Sequence, residues 1–218
     1  ESVDARDDTA VSAPSAPSTL VGDPRWRELY VAYTSGSSGF GAKGTVATVD
    51  AVFRYCTAKM RVESIDSTAR VCLASNTTFD IYPSDAYVAA MAGACAVVSS
   101  RASMQADFAS VLVNGDVTHV CCTPTLFSLA QLPNGWDDVP SMRCVTLAGE
   151  RMSTETLERW GGPNESEETD KGKSKRGQLF NAYGATEATV LQTYAVMSRG
   201  DDPGRVGKAY GDWDFAAV

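Results

Sequence analysis

The stretch from Leu29 to Thr45, LYVAYTSGSSGFGAKGT, limits the folds open to this 218-residue chain more than any other segment. A short apolar strand is predicted over Leu29–Tyr33, and it runs into a loop of threonine, serine and glycine that carries one lysine, Lys43. Backbone amides freed by glycine, several hydroxyls and one cation form a cradle suited to a polyphosphate. Apolar residues at helical spacing from Thr45 to Met60 predict an amphipathic helix after the loop. A flexible linker explains the stretch less well, because linkers do not begin on an apolar strand and end on a patterned helix.

Three general phosphate-loop patterns fit this stretch poorly. The Walker pattern needs glycine directly before Lys-Ser/Thr, whereas Ala42 precedes Lys43. The string GFGAKG, Gly39–Gly44, is a literal G-x-G-x-x-G with Glu63 about twenty residues further on, as in dinucleotide folds. Residues 34–38 separate the strand from those glycines, however, so a dinucleotide-binding oxidoreductase stays only as a minor alternative. A kinase glycine-rich loop would need V-A-I-K, H-R-D and D-F-G downstream, and the sequence has none of them.

Apolar runs alternate with helical patterns along the rest of the chain. Strands are predicted at Val71–Ala74, Ala96–Val98, Val117–Cys122, Arg143–Leu147 and Gln178–Asn181. Helices are predicted at Asp85–Ala94, from an N-cap at Ser103 to about Val113, from Pro124 and from about Ser153. This alternation predicts an α/β fold, a largely parallel sheet flanked by helices. Residues 1–24 are predicted to be a disordered lead, and residues 161–177 an exposed insert loop within one domain of residues 25–218.

Composition excludes several classes of protein. The net charge is −8, about half of it in residues 1–24, and no basic face argues for nucleic acid. No apolar run is long enough to span a membrane, and the acidic N-terminus is unlike a signal peptide. The six cysteines form no C-x-x-C and the single histidine, His119, is predicted to be a core residue, so a zinc site is not expected. Cysteines in apolar runs predict reduced core residues and a cytoplasmic protein.

Two further motifs present chemistry beside strand ends. In FNAYGATEATV, Phe180–Val190, a strand ends in a glycine turn that presents an aromatic ring, a hydroxyl and a carboxylate together. A carboxylate there suits Mg²⁺, a hard cation that bridges phosphates. In FDIYPSDAYVAAMAGACAVV, Phe79–Val98, Asp80 provides an acid that could pair with an ammonium group.

Taken together, these motifs resemble the adenylate-forming superfamily. TSGSSG…KGT is similar to that family's phosphate loop, usually T-S-G-[ST]-[ST]-G-x-P-K-G, with Ala42 in place of proline and one extra residue beside Phe40 and Gly41. NAYGATE resembles its N-x-Y-G-x-T-E motif, with Ala185 where many members have proline. FDIYPSD resembles F-D-x-x-x-x-[ED] of the amino-acid-activating adenylation domains of nonribosomal peptide synthetases. THVCCTPT, VTLAGE and GRVGKAYGDWDFAAV resemble later family segments, so the resemblance spans roughly Tyr30 to Val218.

The resemblance implies a role for each matching position. Catalysis is implied for Lys43, Thr186 and Glu187, with Glu187 as the Mg²⁺ ligand. Binding of ATP is implied for Thr34, Ser35, Gly36, Ser37, Ser38, Gly39, Lys43, Gly44, Ala148, Gly149, Glu150, Asn181, Tyr183, Gly184 and Thr186. The implied amino-acid pocket is Asp80, Ile81, Ser84, Cys121, Thr146, Ala148, Ala182, Val190 and Leu191. In this pocket Asp80 would bind the α-ammonium group, and the mostly apolar lining would suit a neutral or weakly polar amino acid.

The implied reaction converts amino acid and ATP to aminoacyl-AMP and pyrophosphate, followed by transfer to the phosphopantetheine thiol of a carrier protein. Carrier and condensation domains of a parent synthetase are the implied partners. Family motifs for a ribose-binding aspartate, a hinge and a C-terminal lid lysine do not occur here, so we expect a partial N-terminal core with impaired catalysis. Alternatives are a non-catalytic nucleotide- or ligand-binding remnant and, less favoured, acid activation of the acyl-CoA synthetase type.

Overall fold

The computed structural model of the chain describes residues 27–34, 42–163 and 177–211. Its strands are β1 Glu28–Thr34, β2 Lys43–Thr48, β3 Arg70–Cys72, β4 Cys95–Val97, β5 His119–Cys122, β6 Cys144–Ala148, β7 Gln178–Tyr183, β8 Thr193–Val196 and β9 Lys208–Ala209. Its α-helices are α1 Val49–Val62, α2 Ile81–Ala92, α3 Arg101–Ala106, α4 Phe108–Asn114, α5 Pro124–Ser128 and α6 Thr154–Trp160. Short 3₁₀ turns lie at Gly135–Asp138 and Thr186–Ala188.

Seven strands form one sheet in the order β4-β3-β5-β6-β7-β8-β9, and β1 and β2 form a separate hairpin. The five strands from β4 to β7 in this order pair in parallel, whereas β8 and β9 add in antiparallel fashion at one edge. The predicted fold class, α/β with a largely parallel sheet, is confirmed.

The two faces of the sheet support two hydrophobic layers, because successive side chains of a strand point to opposite faces. Val120 and Leu147 belong to a layer covered by α3, α4, α5 and α6, whose largest members include Trp136 and Trp160. Cys121 and Ala148 belong to the opposite layer, beneath α1 and α2. Burial on both faces explains why the parallel strands read as continuous apolar runs.

The helix predicted to follow the first loop begins later than expected. Residues Lys43–Thr48 pair with β1 in antiparallel register, and only then does α1 begin. Thr48 is the N-cap, and its hydroxyl accepts a 3.3 Å hydrogen bond from the amide of Ala51. The sequence prediction was wrong here because valine and threonine of this segment suit a strand as well as a helix face.

Two other helix predictions had incorrect limits. Helix α2 begins at Ile81, four residues before the predicted start, and Asp80 occupies its N-cap. The helix predicted from Ser103 is two helices, since Asp107 leaves helical geometry and its carboxylate accepts a 2.9 Å bond from the amide of Ser110, which caps α4. The predicted starts of α5 at Pro124 and α6 after Ser153 are confirmed.

Residues 1–26 and 164–176 lie outside the described ranges, so the predicted lead and most of the predicted insert loop remain predictions. Among the described residues, none of the helices has the length and apolar character needed to cross a bilayer.

Candidate functional site

The predicted site segments come together at one edge of the sheet. The parallel strands β5, β6 and β7 end at Cys122, Ala148 and Tyr183, and each is followed directly by residues of a predicted motif. The carboxyl ends of neighbouring parallel strands lie at the same edge, which is where open α/β sheets bind ligands. The fold therefore places THVCCTPT, VTLAGE and NAYGATE side by side.

The first loop joins the two strands of the hairpin. Thr34 and Lys43 are opposite each other in the register, and β2 contacts the 3₁₀ turn that carries Thr186 and Glu187. The Thr34 hydroxyl is buried and has no hydrogen-bond partner within residues 27–34, 42–163 and 177–211, whereas Lys43 and Gly44 are exposed. The hairpin thus brings the two strongest motifs of the sequence together. The predicted phosphate-loop residues Ser35, Gly36, Ser37, Ser38 and Gly39 lie outside the described residues.

This arrangement excludes the dinucleotide alternative. A G-x-G-x-x-G fingerprint must lead from a strand into a helix, but here the glycine-rich segment joins two antiparallel strands. Glu63, which that alternative needs for a ribose hydroxyl, is buried and ion-paired with Lys59 at 3.1 Å. The dinucleotide-binding oxidoreductase was therefore a wrong alternative.

The turn after β7 presents the polar groups predicted for a nucleotide. The Tyr183 ring is 57% exposed, and the carboxylate of Glu187, in the same motif, is exposed as well. Gly184 is required there, because a Cβ at this position would lie 1.9 Å from the carbonyl oxygen of Val190. Thr189 and Val190 adopt φ of 68° and 61°, which is strained for β-branched residues and is typical of functional sites.

Gln192, which was not among the residues predicted from the sequence, holds this turn in place. Its side-chain oxygen accepts a 2.6 Å hydrogen bond from the amide of Ala185. Its amide nitrogen donates to the carbonyls of Ala188 at 3.0 Å and Thr189 at 3.3 Å. A buried glutamine that fastens both ends of the turn fixes the position of Thr186 and Glu187. No sequence motif indicates Gln192, because its hydrogen-bond partners are backbone groups.

Asp80 places a carboxylate deep in the site. It is 6% exposed, and its Oδ2 atom has no hydrogen-bond partner among the residues that the structure describes. Burial raises the pKa of Asp80, and the nearby Thr186 hydroxyl and the backbone amides of Ile81 and Val190 partly oppose that rise. An ammonium group would supply the missing partner for Oδ2 and favour the ionised carboxylate.

The remaining predicted pocket residues lie on one side of the sheet, in or beside one buried layer. Cys121 and Thr146 are directly opposite in the register of β5 and β6, and both point to the face that α1 and α2 cover. Ile81 and Ser84 lie three residues apart on α2, hence on one side of that helix. The predicted residues packed in this buried layer are Cys121, Ala148, Ala182, Val190 and Leu191, with Ile81 packed partly against them.

A buried polar cluster, which no sequence motif indicates, lies next to this layer. Lys59 Nζ is 3.1 Å from Glu63 Oε1 and 3.6 Å from Asp85 Oδ1. The hydroxyls of Thr146 and Tyr210 also donate to Glu63 Oε1, at 3.0 and 2.8 Å. We name Lys59, Glu63, Asp85 and Tyr210 the floor cluster.

The floor cluster carries two acids and one cation. Burial lowers the pKa of Lys59, but Coulombic attraction, from Glu63 above all, outweighs burial and raises it well above its ordinary value. Burial raises the pKa of Asp85 to about 7, with the Lys59 ammonium opposing that rise. Spacing could have revealed part of the cluster, because Lys59 and Glu63 are four residues apart on one helix.

Three other residues that were predicted to bind ATP have a structural role in the fold. The Glu150 carboxylate accepts bonds from the amide and the hydroxyl of Thr125, at 3.1 and 2.5 Å, at the start of α5. Gly149 has φ of 85°, so the turn before Glu150 favours glycine. The Asn181 side chain donates to the carbonyls of Pro203 and Arg205 and secures that segment.

His119 is a buried residue at the start of β5, as predicted. Its Nε2 donates to the carbonyl of Glu63 at 3.1 Å, and the Thr118 hydroxyl donates to its Nδ1 at 2.8 Å. Burial lowers its pKa. Both ring nitrogens are occupied, so His119 is a core residue and not a base.

Comparisons with known proteins agree with this geometry. A family model described as AMP-binding enzyme matches residues 3–215. The ferrichrome siderophore peptide synthetase of Mycosarcoma maydis is 30% identical over 186 residues, which are 83% of this chain and 4% of that protein. Nonribosomal peptide synthetase nanA of Aspergillus nanangensis is 30% identical over 190 residues, 85% of this chain and 7% of that protein. The chain therefore spans a small part of these relatives.

Two solved structures support the fold. The Vibrio cholerae adenylation domain AlmE, in complex with glycyl-adenosine-5'-phosphate, superposes with a TM-score of 0.70 at 22% identity, covering 86% of this chain and 34% of that one. The nonribosomal peptide synthetase FmoA3 gives a TM-score of 0.65 at 20% identity, covering 91% of this chain and 20% of that one.

Proposed function

The chain belongs to the AMP-binding enzyme family, and on that premise we propose that it is the amino-acid-activating core of a nonribosomal peptide synthetase adenylation domain. The substrate is an amino acid, the second substrate is ATP, and the products are aminoacyl-AMP and pyrophosphate. In the parent synthetase the aminoacyl group then passes to the phosphopantetheine thiol of a carrier protein, with a condensation domain as the further partner. Relatives named as peptide synthetases support this assembly.

The observation that carries the proposal is the unpartnered Oδ2 atom of Asp80. A buried carboxylate oxygen without a partner is costly unless a ligand supplies a donor. The α-ammonium group of an amino acid is such a donor, and a fatty acid has none. This favours an amino acid over the substrates of acyl-CoA synthetase-type enzymes.

The nucleotide would occupy the edge where the hairpin meets the turn after β7. The exposed ring of Tyr183 would stack on adenine, and Thr186 would bond the α-phosphate. Lys43 and the buried hydroxyl of Thr34, at the two ends of the first loop, would hold the β- and γ-phosphates. Glu187 is an exposed oxygen donor, and one or two carboxylates plus substrate phosphates is the usual protein site for Mg²⁺. That ion would supply neutralisation of phosphate charge.

The reaction is an in-line displacement. A carboxylate oxygen of the amino acid forms a bond to the α-phosphorus, and the bond to the bridging oxygen of pyrophosphate breaks with its electron pair. The residues of this chain contribute mainly by positioning and by charge complementarity. Asp80 would fix the amine end of the substrate, and Thr186, in the turn after β7, would bind at its phosphate end.

Amino-acid-dependent exchange of labelled pyrophosphate into ATP tests the proposal. The chain is incubated with ATP, Mg²⁺, labelled pyrophosphate and single amino acids, beside a sample without amino acid. Exchange that requires an amino acid supports the proposal. If exchange fails but ATP and an amino acid bind together, the chain is the non-catalytic binding module. Loss of all binding contradicts the proposal.

A further inference from the structure

The deep end of the pocket is closed by side chains that cannot easily move. Thr146, which is predicted to line the pocket from β6, has no exposed surface, and its hydroxyl is bonded to Glu63 Oε1 at 3.0 Å. Lys59 and Tyr210 bond the same oxygen. Three donors on one acceptor atom fix the floor cluster directly behind Thr146.

Burial shows how completely this end is filled. Thr146 and Tyr55 have no exposed surface, Lys59 and Asp85 are 1% exposed, and Cys121 is 2% exposed. At the other end Ile81 is only half-buried and the Tyr183 ring is open to solvent. The predicted pocket is therefore exposed towards the nucleotide side and completely buried behind Thr146.

Charge makes the floor cluster rigid. If the Lys59 side chain swung away, Glu63 would be left as a buried charge with only hydroxyl partners, which is strongly unfavourable. A long apolar side chain of a substrate would have to displace this ion pair or lie against it without satisfying it. Neither outcome is compensated by apolar contact alone.

We propose that the floor cluster closes the substrate pocket behind Thr146, so that Lys59 and Glu63 restrict this site to amino acids with small side chains. This inference rests on the proposed function and adds two specificity-determining residues from α1, outside the motif-derived pocket. It narrows the predicted substrates from amino acids with neutral or weakly polar side chains to those among them whose side chains are small.

Non-hydrolysable aminoacyl-adenylate analogues, the sulfamoyl adenosines of glycine, alanine, leucine, phenylalanine and lysine, provide the test by calorimetry on the whole chain. The expected result is binding of the glycyl and alanyl analogues at least tenfold more tightly than of the leucyl and phenylalanyl analogues. Equal binding of all five would overturn the inference. A preference for the lysyl analogue would overturn it too, because the cluster would then be a recognition site for a cation. AMP is the separate control: failure of AMP and every analogue to bind contradicts the proposed function itself.

A pair of double variants separates volume from charge. Lys59→Ala with Glu63→Ala empties the floor and should raise affinity for the leucyl analogue at least tenfold relative to the glycyl one. Lys59→Met with Glu63→Gln removes both charges but keeps most of the volume, and should keep the wild-type ratio. A leucyl-to-glycyl ratio unchanged in the alanine variant would overturn the inference. Circular dichroism checks folding, and if the alanine variant does not fold, the ratio in the unaltered chain decides.

Discussion

The Lys59 ammonium lies 3.6 Å from the Asp85 carboxylate in the interior of the protein, and in the described part of the chain neither oxygen of Asp85 has a hydrogen-bond partner. An ion pair without hydrogen bonds recovers little of the cost of burying the charge. The ionised form of Asp85 is therefore unfavourable in the folded protein. Its protonation makes the free energy of unfolding depend on pH.

Asp85→Asn should reduce this pH dependence. The pKa of Asp85 is raised to about 7 by burial, from 3.8, so the folded state binds the proton more tightly than the unfolded state. Its contribution to stability is present at low pH and is lost as pH rises towards and through about 7. The free energy of unfolding of the wild type should therefore fall between pH 5 and pH 8 by roughly 1–4 kcal/mol more than that of the variant. Urea titrations at both pH values measure this, and parallel behaviour of the two proteins would contradict it.

Gly184→Ala should destabilise the turn that carries Thr186. The new Cβ would lie 1.9 Å from the carbonyl oxygen of Val190, and neither backbone can move freely. A loss of about 2–4 kcal/mol in the free energy of unfolding is expected, as for other backbone clashes. Gly162→Ala is the matched control, because its Cβ would meet only ordinary contacts at 3.7 Å. Equal melting temperatures for the two variants would show that Gly184 is not tightly packed.

Gln192→Glu should loosen the turn after β7, although the glutamate side chain has the same shape as glutamine. The variant loses the nitrogen that donates to the carbonyls of Ala188 and Thr189 and places a charge there instead. The position of Thr186 then becomes less fixed, and we expect ATP to bind about tenfold more weakly, about 1.4 kcal/mol. Gln178→Glu, at an exposed position, is the isosteric control. Unaltered ATP affinity in the Gln192 variant would mean that the turn does not need this residue.

Lys43→Ala should weaken the binding of ATP more than the binding of AMP. Lys43 is exposed beside the first loop and opposite Thr34, so its ammonium is available for the β- and γ-phosphates that AMP lacks. Lys43→Arg keeps the charge and should keep most of the difference. Calorimetric titration with both nucleotides measures it. Equal losses of affinity for ATP and AMP would contradict the proposed role of Lys43 in binding the β- and γ-phosphates.

The sequence predicted the positions of most strands along the chain because parallel strands buried on both faces read as apolar runs, as in Val117–Cys122. It did not predict β2, because the partner that makes Lys43–Thr48 a strand is β1, and pairing depends on tertiary structure. The predicted helix limits were wrong at Asp107 because one side-chain cap there divides a continuous helical pattern of apolar residues into two helices.

The candidate site was predicted unevenly for physical reasons. Motifs indicated Asp80 and Thr186 as candidates because the predicted chemistry requires particular residue types at fixed spacing. The floor cluster was missed because its members come from α1, α2 and the β9 region, as with Tyr210 and Glu63, which are 147 positions apart. Gln192 was missed because it bonds backbone groups, which leave no pattern of residue types.

The pairing of Asp80 with a substrate amine is tested most directly by one calorimetric comparison. The alanyl sulfamoyl adenosine and its propionyl counterpart, which lacks the amine, are titrated into the wild type and into Asp80→Asn. We predict that the wild type prefers the alanyl compound by at least about tenfold, since a charge-assisted hydrogen bond contributes about 1.5–3 kcal/mol. The variant should lose that preference while it still binds AMP. A preference that survives in Asp80→Asn would contradict the assignment of Asp80 and, with it, the amino-acid pocket.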